Sequence, residues 1–83
     1  MRRSEVQKMI RKSDVQSNVF SYLWSRRGNV NGSRLKDIAV SCRDAGVAKN
    51  GIDALIKKGI VEAVEIDGKI VRGAYKVSQE ITK

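Results

Sequence analysis

Histidine and proline are absent from this 83-residue chain, and cysteine occurs once. Without histidine the usual general base is missing, and so is the commonest zinc ligand. A single Cys42 excludes a disulfide framework or a cysteine-rich metal site within one chain. Long apolar runs are missing too. No stretch approaches the roughly 20 apolar residues that a membrane span needs. The basic opening "MRRSEVQKMI" has no apolar run behind it, unlike a secretory signal. The expected location is therefore intracellular: cytoplasmic and nucleoid-associated, with no membrane partner. Nor is there a pair of carboxylates, a nucleophile beside a base, or a phosphate-binding glycine loop. The expectation is a protein that is not an enzyme, with no cofactor, no metal and no small-molecule ligand.

Acidic residues are also few. Nine Asp and Glu stand against 17 Lys and Arg, giving a net charge of +8 and a pI near 10.1. That balance favours a polyanionic partner, nucleic acid before an anionic membrane surface, with simple solubility as the bland alternative. Hydrophobic residues make up 41 %, too many for a disordered chain. The length allows one domain with a small core.

Without proline, Gly and Asn punctuate the chain. "SEVQKMIRK" sets Val6, Met9 and Ile10 at helical spacing. "SDVQSNVFSYLWSRR" follows, with Ser13 or Asp14 able to cap a helix whose apolar face is Val15, Val19, Phe20, Leu23 and Trp24. One continuous helix or two remains open at this point. Gly28 is expected to stop the helix, Val30 to lie in a short extended piece, and Ser33 to cap the next helix. There Leu35, Ile38, Ala39 and Cys42 form one stripe. Cys42 reads as a small buried hydrophobe rather than a reactive thiol. "RDAG" is expected to turn the chain at Gly46, where a positive φ is cheap.

"VAKNGIDALIKKGIV", residues 47 to 61, reads as an amphipathic helix closed by Gly59. Centred on Ile52, its buried arc holds Ala48, Leu55, Ile56 and Gly59. Asn50, Asp53, Ala54 and Lys57 lie opposite, with Lys49 at the margin and Gly51 counted among the small outward residues. Then "IVEAVEI", "DG" and "KIVRGAYKV" form a hairpin signal. Imperfect alternation predicts a bulge near Ala63. Ile70, Tyr75 and Val77 are expected to face the core, leaving Arg72 and Lys76 outward.

Two short helices joined by "RDAGV", with Cys42 at their contact, have the spacing of a helix-turn-helix. "VNGSRLKDIA", "KNGIDALIKKGIVEAVE" and "EIDGKIVRGAYKV" together resemble the second helix, third helix and wing of winged helix-turn-helix domains in prokaryotic and viral transcriptional regulators. The resemblance covers residues 30 to 77. It implies an α+β fold: a three-helix core (domain 13–78) with a β-hairpin wing, preceded by an N-terminal helical extension (1–12) and followed by a polar tail (79–83).

The same resemblance implies sequence-selective binding of double-stranded DNA, with helix 47–58 in the major groove and wing 66–72 on the minor groove or backbone. Small residues at 51 and 54 would allow close approach. Lys49 would reach guanine or a phosphate, and Asn50 suits adenine. Asp53 would accept from cytosine or remain a solvated charge, and Lys57 shares the face. Ser33 with the following amides would position a phosphate, and Arg34 and Arg43 would touch backbone. Lys69 and Arg72 would serve the wing. A short helix reads few base pairs, so a homodimer is expected, with Val6, Met9, Ile10, Tyr22 and Trp24 at its interface. The alternative is that this stripe packs on its own domain. Rival functions are a non-specific architectural or centromere-type DNA binder and a winged-helix protein-interaction module.

Overall fold

The computed structural model describes residues 1–82 and is α+β, with four helices and a three-stranded antiparallel sheet. The order is α1 (Arg3–Ile10), α2 (Asp14–Ser25), β1 (Ser33–Arg34), α3 (Leu35–Cys42), α4 (Ala45–Lys57), β2 (Val61–Ile66) and β3 (Lys69–Val77). Ser13 resolves the first ambiguity. Its backbone is extended, and its hydroxyl accepts from the Gln16 N–H at 3.1 Å. Two helices therefore meet there, and Ser13 caps the second. α2 ends at Ser25, three residues before Gly28, because the Arg26 and Arg27 amides bond back to the Leu23 and Trp24 carbonyls and tighten the chain into a turn.

The extended piece is displaced from its expected place. Val30 lies in a turn and is 77 % exposed, while β1 is Ser33–Arg34, pinned to Tyr75 and Ala74 of β3. Ser33 is consequently a buried strand residue and does not cap α3. The cap position belongs to Arg34, whose side chain makes no capping bond. Gly32 brings the chain in against the sheet. At φ +67°, a Cβ there would strike the Val64 side chain and come within 2.6 Å of the Tyr75 carbonyl oxygen.

The corner between α3 and α4 is tighter than the sequence predicts. Arg43 takes the left-handed conformation at φ 66°, and Asp44 caps α4 by accepting from the Val47 N–H at 3.0 Å. Gly46, expected in the turn, lies inside the first turn of α4. At the other end, the Ile60 N–H bonds the Leu55 carbonyl and the Gly59 N–H the Ile56 carbonyl, with Gly59 at φ +75°. That pair of bonds is a Schellman motif.

The sheet order is β1-β3-β2. Asp67 and Gly68 both have positive φ, so the hairpin closes through a two-residue type I′ turn. Ala63 faces Tyr75 and Glu65 faces Ile70, so Val64 alone is matched against residues 71 to 74. The expected irregularity at Ala63 is present, but its extra residues lie on β3, around Gly73 at φ +76°. Beyond this bulge, residues 65 to 70 at the end of the hairpin are all exposed. Ile70, expected inside, is 69 % exposed, whereas Ala74 and Val77 are buried and Tyr75 is half-buried.

Val6 and Ile10 of α1, together with Trp24, belong to the same core as Phe20, Leu23, Ile38, Ile52, Leu55 and Ile60. Their exposures are 0 %, 2 % and 8 %. The stripe expected at a dimer interface thus packs on its own domain, leaving Met9 half-exposed and Tyr22 half-buried. Residues 1–12 are accordingly an integral part of the domain rather than an extension. The expected polar tail is likewise tied in. Ile81 is buried, Arg3 donates to the Thr82 carbonyl at 2.7 Å, and Thr82 donates to the Met1 carbonyl at 2.8 Å. Lys83 lies outside the described residues. No helix among the described residues is long and apolar enough to cross a membrane.

Candidate nucleic-acid interface

α4 lies against α2 and α3, and its buried side is Ala48, Gly51, Ile52 and Leu55. At 100° per residue, that arc is turned about 50° from one centred on Ile52. The cause is Gly51. It is buried against α2, where a Cβ would lie 2.7 Å from Val15 Cγ1 and 3.4 Å from Val19 Cγ2. Gly51 thus serves close packing of two helices and is not part of the outward face. The same rotation brings Ile56, expected inside, to 39 % exposure, and moves Lys49 from the margin into solvent.

Lys49, Asn50, Asp53 and Lys57 are all exposed and fall within an arc of about 100°. Ala54 beside them is half-buried. Lys49 and Asp53 are bound to each other: Nζ donates to Oδ1 at 2.9 Å and to Oδ2 at 3.1 Å. The hydrogen bond to the Asp53 carboxylate holds the Lys49 ammonium above the ordinary lysine range; desolvation opposes it, and the carboxylate's negative charge adds to it. Lys49 is therefore a partly neutralised cation in the free protein. Asn50 and Lys57 make no side-chain bond within the described residues and present free polar tips. At the next residue, Lys58 Nζ donates to Gln16 Oε1 at 2.6 Å and ties the end of α4 to the start of α2.

The other expected contacts divide by element. Arg43 is exposed at the corner immediately before α4, on a strained left-handed backbone. Arg34 is exposed on the edge strand β1. Ser33 is 7 % exposed within strand β1, paired with Tyr75, so little of it is open to a phosphate. Lys69 and Arg72 are exposed on the hairpin, and Lys76, half-buried, lies 3.9 Å from Glu62. Cys42 is half-buried, its Sγ 3.8 Å from the Ser41 hydroxyl. No group of three or more Cys, Asp or Glu side chains gathers to hold a metal ion among the described residues.

A further set of cations was not singled out in the sequence. Arg3 and Arg27 lie over the Trp24 ring, at 5.5 and 4.4 Å from its centroid, and Arg26 lies 3.7 Å over Tyr22. The signal was present in the spacing. Tyr22 to Arg26 is four residues, the separation at which side chains meet on a helix, and Arg27 follows in the turn that closes α2. No known protein family, curated protein or solved structure matches the chain.

Proposed function

We propose that the protein is a winged helix-turn-helix binder of double-stranded DNA that reads sequence through α4. What supports this most is the exposed face of α4. It offers an amide and two lysines on one side of a helix whose opposite side is core, in a chain carrying +8. The element order and the β1-β3-β2 sheet are compatible with the winged-helix arrangement, with β2 and β3 as the wing. On this reading, α4 enters the major groove. Asn50 offers its paired donor and acceptor to adenine N6 and N7, while Lys57 approaches a guanine edge or a phosphate. Lys49 exchanges Asp53 for the nucleic acid. Arg43, Lys69 and Arg72 lie along phosphates and set register without reading bases.

A transcriptional regulator is the role that such selectivity serves. Two copies on a pseudo-palindromic site would extend a short reading, as selectivity within a genome demands. Of the side chains first assigned to their contact, Met9 is the one that remains exposed.

A salt titration tests the binding itself. With about four phosphates neutralised per protomer, log K against log salt should fall with a slope near −3.6. Lys69→Ala or Arg72→Ala should lower the slope by about one and weaken all sequences alike. A flat salt response would refute the reading.

A further inference from the structure

The arginines at the far end of α2 are organised in a way that the α4 surface does not require. Arg27 Nη1 donates to the Trp24 carbonyl at 2.8 Å while its guanidinium lies over the indole. Arg26 Nη1 donates to the Tyr22 carbonyl at 3.2 Å and to the Ser25 hydroxyl at 2.9 Å, over the phenol ring. Arg3 approaches the same indole from α1. Among the described residues each hydrogen-bonded guanidinium uses only Nη1, leaving the N–H donors of Nε and Nη2 without a partner there. The two ion pairs are Lys49 with Asp53 and Lys76 with Glu62, so among the described residues none of the three arginines is paired with a carboxylate.

Surface arginines normally sample many rotamers, and ordering them on an anion carries an entropic cost. Here aromatic faces and backbone carbonyls have already fixed the planes. Planar forks with free donors are suited to phosphate oxygens. A lipid surface would favour an exposed aromatic beside the cations. Trp24 is instead 8 % exposed beneath Arg3 and Arg27, and Tyr22 is half-buried beneath Arg26. Position matters as much as chemistry. Gln16, near the start of α2, touches α4 through Lys58, and Arg26 follows ten residues later, about 15 Å along the helix axis. The cluster therefore lies at the opposite end of α2 from the α4 contact.

We propose that Arg3, Arg26 and Arg27 form a second phosphate-binding surface, which holds a second segment of duplex DNA while α4 occupies the first. The inference rests on the DNA-binding reading of α4. It makes the protein a bridge between two duplexes as well as a reader of one.

A bridging assay tests it. One duplex is fixed to beads, and retention of a second, fluorescent duplex is measured with protein added. Single-duplex affinity is measured in parallel. The wild type should retain the second duplex. Arg26→Gln/Arg27→Gln should lose at least tenfold of that retention, with single-duplex affinity within about threefold of wild type. Arg3→Gln, on a different helix, should fall between, and circular dichroism melts confirm folding of each. Retention undiminished in the variants would overturn the proposal, as would wild type that binds one duplex but never two. Parallel loss of single-duplex affinity and retention would place the arginines in one continuous footprint and also overturn it. Loss of binding to phosphatidylserine vesicles, with bridging intact, would assign them to a lipid surface and overturn it equally. A wild type that binds no duplex at all would instead strike at the reading of α4.

Discussion

Replacing Gly51 by alanine separates the two roles a small residue on α4 can play. A solvent-facing helical glycine gains about 0.8–1.0 kcal/mol on conversion to alanine, because the unfolded chain loses freedom and the helix loses nothing. Gly51 is buried, and the new Cβ would lie 2.7 Å from Val15 Cγ1. Val15 is β-branched and has no flexible end to swing aside, so α2 and α4 must separate slightly. Overpacking of this kind costs about 1–3 kcal/mol. The net expectation is a loss of about 0–2 kcal/mol. At about 1 kcal/mol the melting temperature should fall by about 4–8 °C for a domain of this size. In a Val15→Ala background the obstructing methyl is gone, and the same Gly51→Ala change should become stabilising. Thermal melts of the four proteins in this cycle give the sign in each background. DNA affinity of the folded variant should not change, since residue 51 faces α2. A stabilising Gly51→Ala in the wild-type background, or a selective loss of DNA affinity without a stability change, would refute the packing argument.

Two other substitutions probe the corner and the charged face. Arg43→Gly should raise stability by about 1 kcal/mol, because a left-handed backbone costs a non-glycine residue about 1–2 kcal/mol, offset in part by glycine's greater unfolded entropy. The same variant should bind DNA more weakly, and a loss of stability in urea melts would show that the left-handed turn is not strained. Asp53→Asn should bring the Lys49 pKa back down towards the ordinary lysine value, observable at the lysine ε-carbon by NMR titration. Because the folded pKa is raised, the pair's contribution is present below the ordinary lysine pKa and is lost as pH rises through the folded one. Wild type and variant should therefore converge in stability only at strongly alkaline pH. Removing the acid should also strengthen DNA binding, and an unchanged Lys49 titration would contradict the pairing.

Much of this arrangement was legible in the residues. Apolar spacing located the stripes of α2 and α3, Asp67-Gly68 the hairpin turn, and Gly59 the end of α4, because each depends on local geometry. What escaped was set by competition or by distant partners. At the corner, Asp44 offers a side-chain cap to α4, and that bond draws Gly46 into the helix while Arg43 takes the positive φ. Gly51 looked outward because an isolated helix has no memory of Val15 thirty-six residues earlier. Ile70 reads as a core residue by its apolar side chain alone, but it stands next to the hairpin turn, beyond the bulge around Gly73, and is exposed. Val6, Ile10 and Ile81 found their own domain because the two ends of the chain pair with each other, which no periodicity reveals. On α4, helical geometry put Asn50 and Lys57 on the exposed side, where they are found, but the hold of Asp53 on Lys49 appears only once the rotamers are fixed.

Selection of bound sites from random duplex DNA, with wild type and with Asn50→Ala, tests the reading of α4 most directly. The wild type should enrich a bounded motif, and Asn50→Ala should lose preference at one base pair, at a cost of about 1–3 kcal/mol on the best site. No enriched motif, or an Asn50→Ala protein that selects the same motif unchanged, would contradict it.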